Sequence, residues 1–348
     1  MAEICPHGWC PGDKIARMNG YARVLAVLRG QRPDRPPVSF WHHFRPEQTR
    51  GPAAVDAHLL HLRRWDLDFL KVMNDTDFPR PSSGWFVRSA ADLAKLPECT
   101  GEEPEFAAEL EVVRLLADRL AGQVPITVTV FNAWAVLRRL CRPPSEEHGP
   151  PTLGLLDDRD GTIAAMLRAD RAAVAEALQR IGSALSKFAV ACLEAGADGV
   201  FLSVRDDWVD TPANGPGTYD ELVRPVDLSI LSAVRGGRFN VLHVCGQARD
   251  FRRFADYPVQ AVNWADRYAG PSIAQAAGFL RPAICAGLDN LGTMPTGTPA
   301  DCAEQVRDAL RQAAARSILI APGCTYDPQA VPQANLEAIA QAVRSASG

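Results

Sequence analysis

Eight short apolar runs, separated by helical patterns, constrain this chain more than any other feature. They begin at Pro36 (PPVSFWHHF), Asp68 (DFLKVM), Val124 (VPITVTVF), Ala197 (ADGVFLSV), Phe239 (FNVLHVCG), Gln260 (QAVNWA), Ala283 (AICAGLD) and Ser317 (SILIAPGC). A sheet with one wet face would alternate apolar and polar residues. These runs are almost continuously apolar, which suits parallel strands covered on both sides. Helical spacing fills the intervals. AAVDAHLLHLRRW follows the first run, and RAAVAEALQRIGSALSKFAVACLEAG precedes the fourth and runs out at Gly196, a residue suited to a C-terminal cap. TPADCAEQVRDALRQAAA opens with Thr298 as N-cap and Pro299 as first helical residue. This alternation over 348 residues predicts an α/β fold of the (β/α)8 TIM-barrel type. A doubly wound open sheet competes with it, but no glycine-rich dinucleotide fingerprint follows the first run. Residues 1–348 read as one barrel domain, with an N-terminal arm over about 1–20 and an inserted loop or lid over about 141–161.

Composition excludes several partners. A formal net charge of -4 leaves no electrostatic footprint for nucleic acid or an anionic membrane surface. The apolar runs are strand-sized, far short of the ~20 residues a membrane helix needs. The opening MAEICPHGWCPGDKIARMNG lacks a basic-then-apolar signal pattern, so a cytoplasmic protein is expected. Nine scattered cysteines suit reduced thiols better than a disulfide framework. Cys192 and Cys302 lie in helical patterns and read as small buried hydrophobes.

Barrel enzymes carry their chemistry on the loops after the strands' C-terminal ends. Polar residues gather there: His42 and His43, Asn74 and Asp75, Asn132, Asp206 and Asp207, His243 and Cys245, then Trp264, Asp289 and Cys324. Residues two apart on a strand share a face, so His243 and Cys245 project together. Cys324 ends the last run, across the mouth from them. One imidazole and two thiolates are soft zinc ligands, and three protein ligands with an open position describe a catalytic site. An open position can take a substrate thiol, which is bound there as the nucleophilic thiolate.

The other candidates are weaker. Neighbouring strand residues face opposite ways, so at most one of His42 and His43 points inward, as an acid–base group or fourth ligand. Asp75 is placed for proton handling, and Asp289 either as partner of the ligating histidine or as a turn cap. Tyr326 joins the candidates at the mouth wall, with Trp264. Asp206 and Asp207 read as solvated loop carboxylates, and His58 and His61 as surface residues. Cys5, His7 and Cys10 in CPHGWC form a second cluster of ligand types, equally suited to a loop folded over the mouth.

Over nearly its whole length the chain resembles the uroporphyrinogen decarboxylase superfamily. Within it, the closest likeness is to zinc-dependent methyltransferases that move methyl groups between a corrinoid and a thiol such as coenzyme M. The likeness runs from RVLAVLRGQRPDRPPVSFW, through HVCG and GLDN, to ILIAPGCTYDPQAVPQANLEAIAQAV. It implies Zn2+ held by His243, Cys245 and Cys324, and a small-molecule thiol as substrate. No Asp-x-His-x-x-Gly cobalamin motif occurs, so a corrinoid, where used, arrives in trans on a separate corrinoid protein or as the free cofactor. The chain departs from true decarboxylases, which carry an arginine-rich N-terminal segment where this chain offers Arg45 and Arg50. Pro-Gly-Cys replaces their Gly-His-Gly-type ending, and Asp75 matches their catalytic aspartate imperfectly. A metal-free decarboxylase or lyase is the first competing reading; it needs a basic mouth, and the strand ends look poor in arginine. The second is a non-catalytic zinc-stabilised binding protein, which needs a fourth protein ligand.

Overall fold

Seven of the eight apolar runs form one all-parallel sheet in chain order: β1 (Leu70–Val72), β2 (Ile126–Phe131), β3 (Gly199–Val204), β4 (Val241–Val244), β5 (Ala261–Trp264), β6 (Ala283–Leu288) and β7 (Leu319–Pro322). The computed structural model describes residues 18–75, 77–144 and 156–346. Alternate residues of each strand share a concave interior, where Phe69, Phe201, Val241, Ala261, Cys285, Leu319 and Ala321 pack with Trp41 and Phe239. The sheet curls enough that the rings of Phe69, before β1, and Phe239, before β4, meet edge-on at 5.4 Å. The intervening residues, Val72, Val128, Leu202, Leu242, Val262, Ile284 and Ile320, face the helices. Both faces are thus buried, the physical reason the runs show no polar alternation.

The helices are α1 (Gly20–Leu28), α2 (Gly51–Trp65), α3 (Ala90–Leu93), α4 (Pro104–Leu120), α5 (Ala133–Leu140), α6 (Asp158–Ala169), α7 (Arg171–Glu194), α8 (Arg224–Ala233), α9 (Ile273–Ala277), α10 (Thr293–Thr296), α11 (Pro299–Ala313) and α12 (Gln333–Ser345). Helix α11 starts where Thr298 and Pro299 place it, with the Thr298 side chain accepting from Asp301 N–H and Asp301 reaching back in a capping box. Cys192 and Cys302 are fully buried in α7 and α11. No described helix is long and apolar enough to cross a membrane.

One expectation needs correction. The run at Pro36 is not an eighth strand: only Val38 pairs, through an isolated parallel bridge to Ile320 of β7, and the barrel is not closed. Pro36 and Pro37 have no N–H to give a ladder. On the β1 side, Asp68 N–H bonds to Val38 O at 2.8 Å, but the N–H of Val38 goes to the Asp68 carboxylate at 2.9 Å rather than to a strand carbonyl. Near the end of the span expected as a loop or lid, Asp157 caps α6 by accepting from Arg159 N–H and forms a capping box with Asp160. The arm with Cys5, His7 and Cys10, and residues 145–155, lie outside the described residues.

At the N-terminal ends of the strands the charges meet one another. Arg23 of α1 forks onto Asp34 (2.6 and 2.9 Å) and reaches Asp68 at 2.9 Å, while Arg35 bonds to the other oxygen of Asp68 at 2.5 Å. Arg23, Arg35 and Asp68 are buried. This network fixes α1 beneath the sheet, where Val24 and Val27 fill the bottom of the interior.

Candidate metal centre

At the other end, β4 turns His243 into the interior beside Ser203 of β3 and Asn263 of β5, its partners in register. His243 Nδ1 lies 2.6 Å from Asn263 Oδ1. The Asn263 amide has one orientation open to it, because its NH2 donates to Cys285 O (2.7 Å) and Pro322 O (3.0 Å). Its oxygen must therefore accept, so the His243 proton sits on Nδ1 and the Nε2 lone pair is left for a ligand. Phe201 stacks on the imidazole at 5.2 Å and 30°, holding the ring plane.

Cys245 and Cys324 complete the cluster. One ligand atom from each of His243, Cys245 and Cys324 lies within 4.8 Å of the others, the one such group among the described residues. Two glycines deliver the thiols. A Cβ on Gly323 would lie 2.5 Å from the Ala265 backbone, so a larger residue would push the chain carrying Cys324 outward. Gly246, with φ +71°, turns the chain after Cys245; a Cβ there would strike the Arg205 guanidinium at 2.2 Å. Arg205 is itself locked, forked onto Asp207 at 2.9 and 2.5 Å and stacked over Trp208 at 3.9 Å.

The two thiols are hydrogen bonded to each other. Hydrogen bonding from Cys245, aided by His243, holds Cys324 well below the ordinary thiol range despite burial. The same bond, with burial, pushes Cys245 well above it. One imidazole with a free Nε2 and two thiols, one already biased to thiolate, is a donor set that fits zinc. Closing by roughly 1 Å would bring the atoms to the edges of a tetrahedral site, about 3.6 Å long for zinc bonds of about 2.0–2.3 Å. No fourth protein ligand of this kind joins them among the described residues.

The remaining candidates are dispersed. His43 Nδ1 meets Asp75 Oδ1 at 2.7 Å. Burial raises the Asp75 carboxyl, but the bond to His43 and the charges of His43 and Lys71 outweigh it and hold it below the usual range. His42 turns away from the interior, bonding through Nδ1 to His43 O (2.8 Å) and packing on His61 and Tyr326 at 4.9 and 5.2 Å. Tyr326 is buried in that same aromatic group, against Phe40. Asp289 accepts from Leu291, Gly292 and Thr293 N–H at 3.1, 2.9 and 3.3 Å; it caps a turn, and His243 is oriented by Asn263 instead. Asn132 caps α5. Trp264 is buried outside the sheet, donating to Pro271 O at 2.8 Å.

Two carboxylates and two histidines differ from expectation. Asp206 is fully buried and accepts from Arg249 and Asp250 N–H, and Asp207 is closed by Arg205. His58 and His61 are inside, bonded to Ala54 O and Phe40 O, and burial pushes them down to about 4 and about 3. The signal was legible: both fall at the spacing of Ala54, Leu62 and Trp65, which form the buried stripe of α2.

Sequence reasoning also passed over three residues. Asn263 sat inside a strand pattern. Lys71 is a charge inside an apolar run, and that was its signal. It is buried in the interior, donating to Met73 Sδ at 3.0 Å and lying over Phe201 (4.8 Å) and Trp41 (5.5 Å). Burial pushes it down to about 8 against the pull of Cys324, Asp75 and Cys245. Arg139, after β2, shows that the strand ends are less poor in arginine than they look.

The sequence model of the family described as Uroporphyrinogen decarboxylase (URO-D) matches residues 72–346. No curated protein matches the chain. Among solved structures, a methyltransferase from Methanosarcina mazei superposes with a TM-score of 0.68 at 15% identity, over 94% of this chain and 98% of that one, which is a likeness of fold. A B12-independent methionine synthase from Shewanella sp. W3-18-1 gives 0.44 at 12% identity, over 68% of this chain and 66% of that one. With 72–346 matched by one family over most of its length, the chain belongs to the uroporphyrinogen decarboxylase family.

Proposed function

We propose that this protein is a zinc-dependent methyl or alkyl transferase that activates a substrate thiol. The observation that carries this reading is the convergence of a His243 ring nitrogen with Cys245 Sγ and Cys324 Sγ, beside the hydrogen bond from His243 Nδ1 to Asn263. Family membership and the fold shared with a methyltransferase support it.

Held by His243, Cys245 and Cys324, zinc would supply a Lewis acid that lets a substrate thiol ionise at neutral pH. Cys245 and Cys324 would hold the metal as thiolates, and Asn263 keeps the free nitrogen of His243 available to it. Lys71, beneath the thiols, supplies a positive charge in a region that gains a third sulfur anion when substrate arrives. Phe201 and Trp41 keep water from that charge. His43, hydrogen bonded to Asp75 and with 54% of its side chain exposed, can pass the thiol proton to solvent. The substrate sulfur then attacks an activated methyl or alkyl carbon, forming a sulfur–carbon bond as the bond from that carbon to its donor breaks and its electron pair leaves with the donor. Where the donor is a corrinoid, it comes in trans on a separate protein or as free cofactor.

Metal analysis tests the reading. We expect about one zinc per chain, lost in Cys324→Ala and His243→Ala while circular dichroism stays unchanged. In cobalt-substituted protein, adding thiol shifts the visible absorption as sulfur joins the ligand set. No zinc after reconstitution under reducing conditions sinks the proposal and puts the metal-free decarboxylase or lyase ahead. Zinc with no spectral response to thiol leaves the non-catalytic reading.

A further inference from the structure

Away from the ligand triad, α4, α5, α7 and the chain after β1 line a small, partly open cleft. Its walls are aromatic: Phe106 and Phe188 stack at 4.9 Å and 23°, Phe78 meets Phe106 edge-on at 6.0 Å, and Phe131 closes the strand side. Arg139 lines it, its guanidinium 4.8 Å from the centre of the Phe131 ring. The adjacent arginine shows what a satisfied neighbour looks like: Arg138 forks onto Asp160 with two bonds of 2.8 Å. Arg139 has no hydrogen bond or ion pair among the described residues. Burial pulls its pKa down although Asp77 and Asp75 attract it.

A guanidinium has five donors in a planar fork that matches a carboxylate, and leaving them unmet in an apolar setting is costly. The phenyl walls suit a flat apolar body. We propose that this cleft binds an aromatic carboxylate, its carboxylate forked by Arg139. Asp77 lines the same cleft and has the opposite role. It balances Arg139 while the cleft is empty and repels the incoming anion, so it sets how tightly the ligand is held. The site shares no residue with the metal ligands and stands whether or not the metal centre is catalytic.

Benzoate is the probe, titrated calorimetrically into the full chain, with benzyl alcohol as an uncharged control of similar shape. Benzoate is expected to bind saturably and benzyl alcohol about tenfold more weakly, a charged hydrogen bond being worth that much or more. Arg139→Gln loses about the same factor, and Arg139→Lys recovers part of it. Asp77→Asn binds benzoate more tightly than the parent, while Cys324→Ala binds it equally well. Absence of saturable benzoate binding overturns the proposal, as does unchanged binding by folded Arg139→Gln. If Arg139→Gln does not fold, Asp77→Asn decides: binding no tighter than the parent overturns it.

Discussion

The two ends of the sheet handle charge in opposite ways. At the N-terminal ends, Arg23, Arg35, Asp34 and Asp68 close on one another with no ligand needed. At the C-terminal ends, among the described residues, Lys71 donates only to a thioether, Cys245 and Cys324 hydrogen bond to each other, and Arg139 stands open beside aromatic walls. Asp68 and Lys71 flank the start of the same short strand, so neither burial nor element type explains the difference. The bottom is completed by its own residues and serves stability. The mouth is left incomplete by its own residues, which is where a ligand finds its binding energy.

The sharpest way to break this contrast is to open the closed end. Asp68→Ala leaves Arg23 and Arg35 buried with too little negative charge, and should cost about 3–5 kcal/mol in urea unfolding. A loss below about 1 kcal/mol would put the bottom network on a par with exposed ion pairs and remove the distinction.

Between the two ends lie His58, buried in α2, and His61, half-buried on the same helix. Their folded pKa values, about 4 and about 3, lie below the ordinary 6.5. In that interval the unfolded chain binds more protons, so their contribution is complete above about pH 6.5 and is lost as pH falls toward 4. Each should add a slope of about 1.4 kcal/mol per pH unit, roughly 3 kcal/mol for His58 over the window. Denaturant titrations from pH 7 to 4.5 should show a shallower slope in His58→Gln. An unchanged slope would mean His58 is protonated in the fold.

The smallest effect sharpens the other end. Asn263→Ala frees the His243 ring and both of its tautomers, so zinc affinity measured by chelator competition should fall about 10–100-fold. Equal affinity would show that His243 is oriented without Asn263, and the mouth would then need less support than the geometry implies.

Local pattern carried much of the fold. Continuous apolar runs marked all seven strands, and helical spacing with Thr298 and Pro299 marked α11. His243 and Cys245 were legible as a pair because a strand puts every second residue on one face. Position in the order of strands then brought Cys324 to the same rim. Less legible were the identities of partners. Asp289 and Asn263 are both polar residues at strand ends, but only Asn263 lies in register with His243, while Asp289 meets the N–H groups of its own turn.

The run at Pro36 had the composition of a strand, and it became a single bridge because a side chain thirty residues on, Asp68, took the N–H of Val38. Arg138 and Arg139 are neighbours of one type on one helix, yet Asp160 reaches the first and leaves the second facing a cleft. By itself, then, the sequence determined which elements form and which face of each is buried, because those follow from spacing within a few residues. Tertiary structure decided which charges are answered, because that depends on groups brought together from distant parts of the chain and on how little water is left between them.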